Sequence, residues 1–583
     1  MFQKNNLNFL PKIFVLIIII IFFIFNLNRI NFGLPFFYDA DEVAFLKSTL
    51  SFLSPITNIE PDPVDPVYAP LLNLVISLKY IFFNELILNS LSIDQIKLKI
   101  YFNPHLFVFY GRIASLTVTS LSIFLLYLVF RKLKINFLIY SLLLISFSIS
   151  LVSLSVSLVN GKNSFYLFIY LLQLYFLIKY FLKIEKFKLN SYIIFGLLGS
   201  IAWGVNYWSS IISIYAIIIL HFKKFKFTKF SYVILFLIVF IFFGPVINMI
   251  LLPENLLNYF IQSGDINDFN LKNFNQNFLK DITKSFQILY FTEKNILLLS
   301  ILTPIFFIKK LKMHKGIFLI ISFLFFEPIF LFAIFEDVTA QLRYFSGIVC
   351  AILILVSILV NEINKTNKYL IYCFFLVNLF FIYNQIKVNS EINYIVSQKH
   401  SFYNFQKEIE SQGLKTIYIS DISLRKNIKN NELYLNLHKK NIIKNHIFFK
   451  DDVKEINKKI DFIKESDNSI YIGSEYNLKN DLIIFNPQLF EIKSYKKFFK
   501  HINSQYDYIV VDLNLNNDIN RNLISYIEKN FLLIKNQFHL NENKIFFKNF
   551  RELLQFYSFG KNFDKEINNL VYGKNYSLYK VNN

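Results

Sequence analysis

The stretch "IFVLIIIIIFFIFNL" (13–27) is followed, five residues on, by "GLPFFYDADEVAF" (33–45). The first run is longer than the apolar core of a secretory leader, and no small-residue cleavage site follows it, so it predicts a retained membrane helix. Asp39, Asp41 and Glu42 then fall close to a bilayer, where carboxylates are costly and usually have a reason. They are either solvated residues at a helix entry or the chemical centre of the protein.

The rest of the chain fits a membrane protein. It has 583 residues, 54% of them hydrophobic, and a mean hydropathy of +0.43. Runs of spanning length recur at 12–28, 107–130, 136–157, 164–182, 191–205, 207–221, 231–250, 287–308, 316–334, 344–361 and 369–385. They predict a polytopic α-helical protein of about eleven spans. The formal charge of +21 accompanies enrichment of Lys, Asn, Ile, Phe and Tyr together. That pattern reads as coding bias, and no nucleic-acid partner is expected. Cys350 and Cys373 both lie in apolar runs without metal-ligand spacing, which argues against a disulfide or a structural zinc site.

Charge alternation orients the spans. Alternate connections are basic: "RKLK" (131–134), "IKYFLKIEKFK" (178–188), "HFKKFKFTKF" (221–230), "IKKLKMHK" (308–315) and "NEINKTNK" (361–368). The intervening "NGKN" (160–163), "VNY" (205–207) and "EDVTAQLR" (336–343) carry few positive charges. By the positive-inside rule the N-terminus is cytoplasmic, while loop 29–106 and everything from 386 onward lie outside an inner (plasma) membrane. Residues 386–583 change character. Short β-prone runs at 416–421, 469–474, 481–486 and 506–515 alternate with helix-like stretches at 400–412 and 451–464, predicting a C-terminal extracytoplasmic α/β domain. It has no phosphate-binding glycine motif, so no nucleotide chemistry is assigned to it.

The long outer loop is more than a connector. "IEPDPVDPVYAP" (59–70) is stiffened by proline, and "LLNLVISLKYIFFNELIL" (71–88), with Lys79 and Glu85, reads as an interfacial or re-entrant helix rather than a full span. "NPHLFVFYGRIASL" (103–116) then brings His105 and Arg112 to the next span; His105 has no partner histidine nearby and reads as an interface residue. Glu327, before Pro328, falls within or near a predicted span and should face a cavity or a partner.

An N-terminal span followed by "FFYDADEVAFLKSTLSF" resembles the polytopic GT-C glycosyltransferases, which include the protein O-mannosyltransferases and the lipid A aminoarabinose transferases. "VYAPLLNLVISLKYIFF" (67–83) looks like the proline-containing helix of their first loop. "YGRIASLTVTSLSIFLLYLVFRKL" (110–133) looks like their second span, and "RYFSGIVCAILILVSILV" (343–360) is similar to their late Arg-Tyr segment. The resemblance covers residues 1–385 and implies inverting transfer of a sugar from a polyprenyl-phosphate donor to a lipid, glycan or protein acceptor outside the membrane. It places the acidic pair at Asp41 and Glu42. Asp41 is then the candidate base, with Asp39 as its substitute if the register differs, and a divalent metal ion is a possible cofactor. An acceptor hydroxyl is a weak nucleophile that a carboxylate can deprotonate during attack. The departing lipid phosphate needs cations, for which Arg343, Arg112 and Lys162 are the candidates.

One departure stands out. Relatives carry a second acid after the third span, where this chain reads "SLVNGKNSFYL" (157–167), with Asn160 and Asn163 and no acid. Either Asp62, Asp65 or Glu336/Asp337 fills that role, or the substrate differs, or activity is impaired. Two rival readings are a transporter or flippase for a lipid-linked sugar, which should show broken, repeated spans, and a non-catalytic envelope-assembly protein.

Overall fold

A computed structural model describes residues 10–30, 67–92, 105–225, 229–251, 346–366 and 368–397, with short pieces of 45–52, 283 and 316–324. In the C-terminal part it describes 416–419, 469–471, 482–485, 508–512, 518–537 and 576–581. The helices are α1 (Leu10–Leu27), α2 (Tyr68–Ile81, continued by a π turn Phe82–Leu88), α3 (His105–Lys132), α4 (Phe137–Ser148) and α5 (Leu151–Leu158). They continue with α6 (Lys162–Leu182), α7 (Leu189–Trp203), α8 (Ile211–Phe225), α9 (Phe230–Ile241, continued by a π turn Phe242–Val246) and α10 (Ile247–Leu251). Further along come α11 (Ser346–Thr366), α12 (Lys368–Ser397) and α13 (Asp518–Asn530).

Among the described residues, five helical stretches are long and apolar enough to cross a membrane: Tyr68–Leu88, Phe107–Lys132, Asn163–Leu182, Phe230–Leu251 and Ser346–Asn364. The protein is therefore a helical membrane protein by length and composition. The predicted run 136–157 is a bent pair instead, with α4 and α5 meeting at 52°. The break has a local cause. Ser150 caps α5 by accepting from the Ser153 N–H at 3.1 Å, and the Ser153, Ser155 and Ser157 hydroxyls bond back to carbonyls three residues earlier. Runs 191–205 and 207–221 became α7 and α8, each 15 residues, joined through a 3₁₀ turn at Tyr207–Ser210. The predicted run 287–308 lies outside the described residues, as does most of 316–334, including Glu327.

Pro245 sits within α9's π turn, whose local carbonyls find side-chain donors. Ser200 Oγ donates to Val239 O and Phe240 O, and Asn248 Nδ2 donates to Gly244 O at 2.8 Å. The core of the bundle runs along α3, α6 and α11, where Leu126, Phe130, Leu171, Ile352 and Leu353 are buried.

In the C-terminal part, β1 (Thr416–Ile419), β2 (Ser469–Tyr471), β3 (Leu482–Phe485), β4 (Tyr508–Asp512), β5 (Leu532–Gln537) and β6 (Tyr576–Lys580) form one sheet. Its order is β2-β3-β1-β4-β6-β5, parallel across β3-β1-β4 and antiparallel elsewhere. The first four strands fall in the β-prone runs of the sequence. The helix-like stretches 400–412 and 451–464 lie outside the described residues.

The start of α2 is fixed by three contacts. Tyr68 N–H donates to Gly204 O at 2.7 Å, Val67 N–H to Asn248 Oδ1 at 3.0 Å, and the Tyr68 hydroxyl to Phe243 O. A Cβ on Gly204 would overlap the Tyr68 ring, whereas one on Gly161 meets nothing within 4 Å. Gly204→Ala should therefore destabilise the protein by about 1–3 kcal/mol and Gly161→Ala by far less, a contrast readable as melting temperatures in detergent.

Candidate functional site

The polar groups of interest gather around the first turns of α3. Asn73, buried on α2, donates from Nδ2 to Asn160 Oδ1 at 3.0 Å and to Gly111 O at 3.4 Å, while its Oδ1 accepts from Ser77 Oγ at 3.3 Å. Asn160 belongs to the "NGKN" connection between α5 and α6. It was the residue standing where an acid was expected, and it is fully buried. The α3 backbone comes so close at Gly111 that a Cβ there would overlap the Asn160 carboxamide. Asparagine in an apolar setting is tolerated only when its amide is bonded, so this node fixes α2, α3 and the 158–162 connection against one another.

A second polar knot lies at the far end of the same helix. Glu85, 3% exposed in the π turn, accepts at Oε1 from the Tyr110 hydroxyl at 2.8 Å and from Asn84 Nδ2 at 3.2 Å. Its Oε2 accepts from Asn89 Nδ2 at 3.0 Å. Asn84 Nδ2 also donates to the Tyr110 hydroxyl at 2.7 Å, and the Tyr80 and Thr117 hydroxyls share a bond at 2.9 Å. These contacts fix how α2 runs. Asn73 and Glu85 are twelve residues apart, about 18 Å along a helix, yet their partners Gly111 and Tyr110 are neighbours. α2 and its π turn thus meet the first half of α3 at Gly111, Thr117 and Tyr110. The buried face of α2 mixes Asn73, Ser77 and Glu85 with Ala69, Leu74 and Ile81, and its exposed face is apolar (Leu72, Val75, Phe82, Phe83, Leu86 and Ile87) apart from Lys79.

The sequence-predicted candidates divide into two groups. Arg112 is 2% exposed, and its Nη1 donates to the carbonyl of Ile30, just past α1, at 2.8 Å. Lys162 is half-buried in the first turn of α6, after the N-cap Gly161. Asn160 on Gly111 therefore brings the neighbourhoods of Arg112 and Lys162 together. Asp39, Asp41, Glu42 and Arg343 lie outside the described residues, as do Asp62, Asp65, Glu336 and Asp337. The chain on either side of the acidic stretch is described. Ile30 is held by Arg112. Phe45, 2% exposed, packs in a cluster with Ala69, Val118, Phe165 and Ile169, and the Thr49 hydroxyl bonds back to its carbonyl at 2.8 Å.

Sequence reasoning missed Arg29, which is fully buried, with Nη1 donating to Asn26 Oδ1 at 3.3 Å and its guanidinium 4.1 Å from the Phe25 ring centroid. It also passed over Asn73 and Tyr110. Their signal was present, since a polar residue inside an apolar run needs a partner. Among the described residues no three His, Cys, Asp or Glu side chains gather as a metal site requires.

Asn73→Ala and Asn160→Ala should each cost about 1–3 kcal/mol, because each strands a buried partner. The double variant should cost less than their sum by at least about 0.5 kcal/mol, measured as a double-mutant cycle of unfolding free energies in detergent.

No family model matches the chain, and neither the curated proteins nor the solved structures give a match.

Proposed function

We propose that the chain is an integral-membrane glycosyltransferase of GT-C type. It would transfer a sugar from a polyprenyl-phosphate donor to an envelope lipid, glycan or protein on the outer face. In this reading the protein has about eleven spans, a cytoplasmic N-terminus and an extracytoplasmic C-terminal domain. The observation that carries it is the anchoring of the acidic stretch at both ends. Arg112 grips Ile30, and Phe45 is buried against Phe165 and Ile169 of α6. Three peptide units separate Phe45 from Glu42, so chain connectivity keeps the Glu42 Cα within about 11 Å of the Phe45 Cα. In this reading the acids work at the same end of the bundle as Arg112, Asn160 and Lys162.

The chemistry follows from these placements. Asp41 takes the acceptor hydroxyl's proton as its oxygen bonds to the anomeric carbon, and Glu42 or Asp39 orients it. The bond from that carbon to the lipid phosphate breaks, with inversion. Arg343 and Lys162 meet the charge released on the phosphate. Arg112, buried and engaged with Ile30, is better suited to positioning the loop than to touching phosphate. A divalent ion, if used, would draw its ligands from Asp39, Asp41 and Glu42. In this reading α2 lies in the outer interface. Spanning would put Lys79 near mid-bilayer on a lipid-facing surface, at a cost of about 3 kcal/mol.

A second reading, a flippase for a lipid-linked sugar, is favoured by one feature, the broken pair α4–α5, since transporters often bind substrate at interrupted helices.

Proteoliposomes supplied with radiolabelled polyprenyl-phosphate sugars and envelope extract separate these readings. Wild type should form labelled product, and Asp41→Ala should lower the rate by about 100-fold or more. Equal rates would remove Asp41 as the base. Movement of labelled lipid across the bilayer with no product from any donor would instead establish the flippase.

A further inference from the structure

We infer that the lysine-rich α6–α7 turn and the facing ends of α8 and α9, at the opposite end of the bundle, together form a binding surface for anionic phospholipid headgroups. α6 carries the chain from the Asn160 node to this end, about 31 Å away for its 21 residues. There a 3₁₀ turn (Ile184–Lys186) leads into α7, and the end of α8 packs against it. Lys223 Nζ donates to Phe181 O at 3.2 Å and lies 3.5 Å from that ring's centroid. Lys224 Nζ donates to Glu185 O at 3.4 Å and to Phe187 O. These two lysines stitch the end of α8 to that turn.

Lys183, Lys186, Lys188 and Lys229 remain exposed around them. The ammonium groups of Lys224 and Lys229 each lie 5.2 Å from the Phe225 ring centroid, so they are no more than about 10 Å apart, near the Debye length at physiological salt. The crowding has an electrostatic signature. Lys224, three residues beyond the apolar run that ends at His221, is held below the usual ammonium pKa by burial first and then by Lys188 and Lys229, with Glu185 opposing. Among the described residues of these segments, Glu185 is the single carboxylate facing these six lysines.

Topological charge bias asks only for lysines at this end; it does not ask that they crowd. Crowded cations are relieved by an anion carrying concentrated charge. The apolar rim selects the source. Leu182, Leu189, Phe222 and Phe230 are exposed immediately beside the lysines, an arrangement suited to acyl chains below a phosphate and not to a free ion. This surface is independent of the proposed sugar chemistry.

The test uses full-length protein in nanodiscs of mixed phosphatidylglycerol and phosphatidylcholine, with retained lipid counted by native mass spectrometry. Each lysine at an anionic surface is worth about fivefold in binding, so wild type should retain phosphatidylglycerol over phosphatidylcholine by at least about fivefold, less at high salt. The variant carrying Gln at positions 183, 186, 188 and 229 should lose the preference while keeping its melting temperature in phosphatidylcholine. Lys186→Gln/Lys229→Gln should be intermediate, and Lys529→Gln, exposed on α13, should behave as wild type. Equal retention of both lipids by wild type, or an intact preference in the fourfold variant, would overturn the inference. So would competition by soluble glycerol 3-phosphate at the lipid's own concentration, which would reassign the site to a free phosphate.

Discussion

The bond from Asn73 to Asn160, made beside the bare backbone of Gly111, is the constraint on which the head of the bundle depends. A carboxamide in an apolar interior must be bonded, and the bond has value only if both partners are held in place. Meeting that requirement ties α2 and the α5–α6 connection to the head of α3, where Arg112 bonds Ile30. The Glu85–Tyr110 knot repeats the logic at the other end of α2. Two polar fastenings about 18 Å apart hold α2 against α3, and its outward face is apolar.

This arrangement explains what was legible in the sequence and what was not. Long apolar runs such as 107–130 and 231–250 were legible because bilayer thickness fixes their length. The break between α4 and α5 was not, because serines that bond back to their own helix look, in one dimension, like small residues inside a span. Segment 71–88 was read as interfacial from Lys79 and Glu85. By length and composition Tyr68–Leu88 is one of the candidate spans, and the partners of Asn73 and Glu85 tie it to α3. Asn160 was the clearest misjudgement of emphasis: noticed as a missing acid, it is a structural fastening. Its partner Asn73 lies far away in sequence, and no local pattern links the two. The acidic residues of "DADE" were chosen by position relative to a membrane, and they lie outside the described residues, between Ile30 and Phe45.

In the readings proposed above, the two ends of the bundle divide the work. The α3 head gathers asparagines and a buried arginine, and is proposed to carry the chemistry. The far end gathers lysines whose charges crowd, and is proposed to hold a lipid. α6 joins them, with Asn160 preceding its first turn and Phe181 beneath Lys223 in its last.

The central proposal is that α2 lies in the outer interface and does not span, so that its whole length shares one depth in the bilayer. Spin labels at Val75→Cys and Ile87→Cys, both on the exposed face, test it directly in a Cys350→Ala/Cys373→Ala background. Their depths in liposomes, read by collision with oxygen and with a water-soluble nickel chelate, should agree within about one helical turn, or 5 Å. A difference approaching 18 Å, the rise of about twelve helical residues, would mean that α2 crosses the membrane and would contradict the account.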